Sequence, residues 1–147
     1  MKREKIIIYT DGGSRGNPGN AGVGVYITDE HNKPVKEYSK AIGTRTNNEA
    51  EYEAVILALQ KVKHLYGKEG SKYLEIELRV DSQLIARQLK GEYKVKMETL
   101  KPLFMEAYNL KTEFGQVDIV EIPREKNKEA DRLANEAMDE KRTAALF

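Results

Sequence analysis

Four acids, Asp11, Glu51, Asp81 and Asp131, stand where the surrounding residues ask for something apolar or for a turn. Acids almost never enter a protein interior unless something pairs with them. No bases recur beside these four, so carboxylates brought together would repel until a cation neutralised them. The chain has no Cys, which excludes disulfides and thiolate sites and leaves oxygen as the metal ligand. Two divalent ions about 3.5 to 4 Å apart, bridged by one carboxylate, activate a water and stabilise a leaving oxygen in phosphodiester chemistry.

The elements that carry the acids decide whether they meet. Residues 5–10 are a β-branched run, and the Gly- and Pro-rich stretch 11–19 reads as a loop, so the first strand is expected to end at Asp11. Strands are expected at 21–28 and 35–42, joined by a turn at 29–34, and a helix at 47–66, closed by Gly67 and Gly70, where a helix can end in the left-handed conformation. Residues 74–80 alternate strictly between apolar and polar, and Ser82 caps a short helix through Leu89. A helix at 98–112, a strand at 117–122 and a helix at 128–140 complete the order. Strands in a meander followed by strands alternating with helices predict an α/β fold. Its five-stranded mixed sheet combines a three-strand antiparallel meander with two parallel strands, flanked by helices.

Helical phase singles out one acid of the long helix. At about 100° per residue, Val55, Ala58, Leu59, Val62, Leu65 and Tyr66 share one side, with Glu51 in the middle of that stripe. Glu49 and Glu53 point the other way. A first-turn acid is favoured by the helix dipole, which accounts for Glu49 and Glu53 but not for an acid centred on the core face. Asp11 and Asp81 each close an apolar strand, the place where α/β sheets put ligands. If their strands are neighbours, the carboxylates meet. Either aspartate alone serves equally well as a turn former or cap, and Asp131, in line with Ala134 and Met138, is equally explained alone by the dipole.

The length of 147 residues suits one domain, taken as 1–140 with a tail at 141–147. A net charge of +1 means that nucleic-acid binding would rest on local placement of Lys and Arg. No long apolar stretch or signal peptide is visible, so no membrane association and a cytoplasmic location are expected. Gly12 to Gly24 is rich in glycine after a strand, but lacks the Gly-Lys-Ser/Thr ending of a nucleotide phosphate loop and opens no helix.

Asp11-Gly12-Gly13-Ser14 with Asn17-Pro18-Gly19, then Thr46-Asn47-Asn48-Glu49-Ala50-Glu51, Asp81-Ser82-Gln83 and Asn127-Lys128-Glu129-Ala130-Asp131 together resemble the type 1 ribonuclease H family. Order, spacing and flanking elements agree over about residues 5–139. The resemblance implies a ribonuclease H-like fold and hydrolysis of the RNA strand of RNA/DNA hybrids, leaving 5′-phosphate and 3′-hydroxyl ends. It makes Asp11, Glu51, Asp81 and Asp131 the ligands of two Mg²⁺ ions, for which Mn²⁺ substitutes, with Asp11 as the bridge. Asn17, Asn47, Asn48 and Gln83 match amides used in the minor groove of the hybrid, where a group that donates and accepts can read a 2′-hydroxyl. Gly12 and Gly13 would let the backbone approach the RNA, with Ser14 and Ser82 beside them. Thr46, assisted by Arg45, matches a phosphate pocket for the DNA strand, and Thr46 and Asn47 also suit helix capping.

The chain departs from the family pattern in three places. His31 and His64 are its only histidines, and neither precedes Asp131 in the loop where many members carry one. Arg124 stands in that short loop, either as a positive charge near the scissile phosphate or as a solvated arginine. No basic, Trp-bearing insertion is visible at 90–101, leaving Lys90, Lys94, Lys96 and Lys101 as weak phosphate contacts or a solvated face. Leu146 and Phe147 lie beyond the shared motifs and either pack on the body or fray. The expected protein is a monomer acting on an RNA/DNA hybrid duplex. The alternatives are the same fold acting also on RNA/RNA duplexes, or a non-catalytic nucleic-acid-binding module.

Overall fold

A computed structural model describes residues 4–145, with side chains through Asp139. It contains β1 (Glu4–Gly16), β2 (Gly19–Asp29), β3 (Pro34–Arg45), α1 (Asn47–Ser71), β4 (Leu74–Val80), α2 (Gln83–Leu89), α3 (Lys101–Lys111), β5 (Gln116–Glu121) and α4 (Lys128–Ala145), with a 3-10 turn at Arg124–Lys126. The sheet runs β3-β2-β1-β4-β5. β1, β2 and β3 are antiparallel, and β4 and β5 add in parallel beside β1. This is the five-stranded mixed sheet read from the order of elements.

One face of the sheet packs on α1. Ile6 and Ile8 of β1, Val23, Val25 and Ile27 of β2 and the apolar residues of β4 form a core with Tyr52, Val55, Leu59 and Val62. Burying each such aliphatic side chain contributes about 1.5–3 kcal/mol. α3 covers the outer side of α1, and α4 crosses the opposite sheet face over β2. The Tyr52 hydroxyl donates to Gln88 Oε1 at 2.6 Å, and Gln88 Nε2 donates to the Lys94 carbonyl at 3.2 Å, tying α1 to α2 and to the segment after it. Among the described residues, no helix is long and apolar enough to cross a membrane.

The largest difference from expectation lies in residues 11–19. β1 does not end at Asp11 but stays paired with β2 from Asp11↔Gly24 to Gly16↔Gly19, turning at a cis Asn17-Pro18 bond. Gly12, which read as part of a loop, and Gly24, in the expected second strand, are instead sites of close approach. A Cβ on Gly12 would lie 2.2 Å from the Ala50 carbonyl oxygen of α1, and one on Gly24 would lie 2.2 Å from the Ala130 carbonyl oxygen of α4.

Helix ends differ for identifiable reasons. α1 is capped by Thr46, whose Oγ1 accepts from the Glu49 amide at 3.2 Å while Glu49 Oε1 accepts from the Thr46 amide at 2.8 Å. Gly67 takes a positive φ of 77° as expected, yet Gly70 does not, and the chain resumes one helical turn through it to reach Ser71. Leu65, placed on the buried stripe by phase, is 44% exposed, while Tyr66 packs on the core. α3 begins at Lys101 and not near residue 98, because Pro102 suits the first turn of a helix, where no intrahelical N–H bond is lost. α4 continues past residue 140 to Ala145 through Lys, Arg and Ala, none of which breaks a helix. Leu146 and Phe147 lie outside the described residues.

Candidate active site

The parallel pairing of β1 with β4 ends at Thr10↔Val80, so Asp11 and Asp81 follow side by side where the two strands part. Glu51 enters from near the N-terminal end of α1, one residue past its first turn. Its Oε1 accepts a hydrogen bond from the Gly12 amide at 3.0 Å, a contact open only because Gly12 has no Cβ to hold α1 away. One carboxylate oxygen from each of Asp11, Glu51 and Asp81 lies within 4.8 Å of the others. Asp131, in the first turn of α4, stands outside that tight group and is itself exposed, but it lines the same cleft as Asp11 and its charge acts on that carboxyl.

Electrostatics mark the cluster as under tension. Burial, then the charges of Asp81 and Asp131, push the Asp11 carboxyl up to about 7 against the lowering effect of its hydrogen bond to Glu51. Glu51 is only 9% exposed, and burial together with the Asp11 charge pushes it well above the ordinary carboxylate range. Among the described residues no lysine or arginine pairs with any of the four acids. Three converging carboxylates without a base are a donor set that suits hard divalent cations. Asp11 interacts with all three other acids, the position a bridging ligand requires.

The acids open into a cleft of about 660 Å³. Of the residues singled out from sequence, Gly12, Gly13, Ser14, Asn47, Asn48, Ser82, Gln83 and Arg124 line it. The Asn47 Oδ1 accepts from the Ser14 amide at 2.9 Å and from the Ser14 hydroxyl at 3.1 Å, which joins β1 to α1 along one wall. Ser82 caps α2 by accepting from the Ile85 amide at 3.3 Å. Asn17, Arg45 and Thr46 do not line the cleft. Asn17 Oδ1 accepts from the Asn47 amide at 3.1 Å, Thr46 caps α1, and Arg45 is held by Glu53 at 2.8 Å and by the Thr44 carbonyl.

Several residues of the site had not been singled out. Arg15, Lys128 and Asn135 line the cleft, as does Met138, which the sequence had placed in line with Asp131. Asn135 and Met138 follow Asp131 at helical spacing, a signal present in the sequence. Arg15 was hidden by the loop reading of its segment; its Nη2 donates to Asp139 at 2.8 Å and to Asn135 Oδ1 at 3.3 Å, clamping α4 to β1. Buried Asn127 had been noted only as part of a motif. Its Nδ2 donates to Asp81 Oδ2 at 2.8 Å and to the Thr10 carbonyl at 2.9 Å, so one amide braces both strands of the fork.

The profile of the family described as "Reverse transcriptase-like" matches residues 9–137 of the chain, a span that includes all four acids. A protein named ribonuclease HI from Halobacterium salinarum is 40% identical over 136 residues, which are 92% of this chain and 65% of that protein. The chain belongs to the type 1 ribonuclease H family. The crystal structure of LC11-RNase H1 in complex with an RNA/DNA hybrid superposes with a TM-score of 0.87 at 51% identity, covering 92% of this chain and 97% of that one. A bifunctional protein of Mycobacterium tuberculosis is 40% identical over 136 residues, 92% of this chain. The chain thus spans 36% of that longer relative.

Proposed function

We propose that this chain hydrolyses the RNA strand of RNA/DNA hybrids, with Asp11, Glu51, Asp81 and Asp131 holding two divalent cations, Mg²⁺ or in its place Mn²⁺. The observation that carries the proposal is the convergence of Asp11, Glu51 and Asp81 at the β1–β4 fork with no base to neutralise them. When bound, the ions supply a nucleophilic water and charge stabilisation at the departing 3′ oxygen, giving 5′-phosphate and 3′-hydroxyl ends. Asp11, whose carboxyl feels Glu51, Asp81 and Asp131 alike, would be the ligand common to both ions. Asn127 keeps one Asp81 oxygen occupied and so orients the carboxylate.

Asn47, Asn48 and Gln83 line the cleft with amides suited to reading a 2′-hydroxyl in the minor groove. Gly12 and Gly13 leave the floor between them without side chains. Arg124 and Lys128, neither in an ion pair among the described residues, give the cleft its positive charge, which is local in a chain of net charge +1. The hybrid-bound structure of LC11-RNase H1, 51% identical, supports the substrate class.

The test is cleavage of end-labelled RNA/DNA, RNA/RNA and DNA/DNA duplexes with Mg²⁺, Mn²⁺ or EDTA, beside Asp11→Asn. Cleavage of hybrid RNA that needs metal and is lost in Asp11→Asn is expected. Hybrid cleavage that persists in EDTA would overturn the metal assignment. Binding of hybrid without cleavage under any metal would make the chain a binding module, and cleavage of RNA/RNA as well would broaden its substrate class.

A further inference from the structure

A second cavity adjoins the cleft on the α4 side of the sheet. α4 rests on Gly22 and Gly24 of β2, where a Cβ would lie 2.7 and 2.2 Å from α4 atoms. Beyond the N-terminal end of α4 the same sheet face changes from glycine to tyrosine. Tyr9 and Tyr26 are cross-strand partners, with ring centroids 6.0 Å apart and planes at 50°. They floor a cavity of about 350 Å³ rimmed by Asn32, Glu125, Lys126, Lys128 and Glu129. Lys128 lines both this cavity and the cleft that holds the acids, so the two spaces adjoin.

The floor is held in place. Arg79 Nη1 donates to the Tyr9 hydroxyl at 2.6 Å, with the guanidinium carbon 5.2 Å from the ring centroid. The rim sets Lys126 and Lys128, which have no ion-pair partner among the described residues, beside Glu125 and beside Glu129, which shares Arg132 at 2.9 Å with Glu37 and Glu136, so the two lysines are the groups on it that can meet a phosphate. The Tyr26 hydroxyl has no hydrogen-bond partner among the described residues either. Stacking surfaces beside free lysines are the combination by which proteins take up unpaired nucleotides, and the volume falls in the range of small-molecule sites. The proposed cleavage reaction makes no use of either tyrosine.

We propose that the Tyr9–Tyr26 cavity binds a nucleotide, its base against the tyrosine rings and its phosphate between Lys126 and Lys128. Two sources share this chemistry: a free mononucleotide, or an unpaired end of the nucleic acid occupying the cleft and passing Lys128. The second source rests on the function proposed above, and the first does not.

The experiment uses Asp11→Asn protein, to bind without cleaving, and three ligands: AMP, a blunt hybrid, and the same hybrid with a short unpaired extension carrying 2-aminopurine. Binding of AMP is followed through tyrosine resonances, and binding of the extension through quenching of the 2-aminopurine. The extension is expected to tighten binding by about tenfold over the blunt hybrid. Tyr26→Ala and Lys126→Gln, each added to Asp11→Asn, should abolish or reduce that gain, Tyr26→Phe should keep it, and blunt-hybrid affinity should be unchanged in all three. Lys126 is exposed, so its variant tests the site even if Tyr26→Ala folds poorly. An effect of AMP alone identifies a free nucleotide as the occupant, and an effect of the extension alone identifies the substrate's own end. The proposal is overturned if neither AMP nor the extension has an effect. If the blunt hybrid is not bound at all, the proposed function fails, and the AMP measurement still decides on the cavity.

Discussion

The amide of Gly12 donates to Oε1 of Glu51 at 3.0 Å, and this single bond joins β1 to the N-terminal part of α1 inside the cluster of acids. It exists because the strand and the helix touch at a residue without a side chain. The contact sets where Glu51 stands relative to Asp11.

Gly12→Ala is therefore expected to act on the site through packing alone. Its methyl group would lie 2.2 Å from the Ala50 carbonyl oxygen, so α1 must move. Overpacking of this kind costs about 1–3 kcal/mol. Urea denaturation should show that loss, and hybrid cleavage should fall by about a hundredfold or more, since a shift near 1 Å at the reacting groups has that effect.

Asn127→Ala leaves the Thr10 carbonyl without its side-chain donor and frees Asp81 to rotate. The destabilisation should be about 1–3 kcal/mol, the cost of an unsatisfied buried group. Asn127→Asp should be worse for activity than for stability, because it adds a fifth acid against Asp81. Comparing the metal concentration that gives half-maximal cleavage in the two variants separates these effects.

The acid cluster predicts the stability of the metal-free protein. Asp11 titrates near 7 in the folded protein, against an ordinary 3.8, so the folded state binds the proton more tightly than the unfolded chain. Its contribution is then present in full below pH 3.8 and is lost as pH rises through about 7. In EDTA, Asp11→Asn should raise the melting temperature at pH 8 and have little effect at pH 4. A lower melting temperature for the variant at pH 8 would contradict the burial of like charges.

Divalent cations should act in the opposite sense. Mg²⁺ binds the ionised acids of the folded state, so adding it at pH 8 should raise the melting temperature of the wild-type protein, and by much less in Asp11→Asn. At limiting Mg²⁺ the rate of hybrid cleavage should climb as pH rises toward 7. The midpoint should move to lower pH as Mg²⁺ is increased, because the cation favours the ionised carboxylate. Calorimetric melts and initial rates over a grid of pH and Mg²⁺ check both.

The sequence by itself singled out four acids and the elements that carry them. Two-residue and helical periods placed Asp81 at a strand end and Glu51 on the buried side of α1, and the motif spacing identified Asp11 and Asp131, because these patterns are local consequences of backbone geometry. Only the tertiary structure decided how β1 reaches past Asp11. Gly12, which a local reading assigns to a loop, and Gly22 and Gly24 of the next strand are there because α1 and α4 press on the sheet from both sides, and no periodicity within one segment records what packs against it. The same holds for Asn127, whose partners Thr10 and Asp81 come from two other strands, and for Arg15, which meets α4 more than a hundred residues away along the chain. Asp131 shows the division most clearly: its place in the first turn of α4 is written in the sequence, but its distance from Asp11 depends on how closely α4 settles onto Gly22 and Gly24.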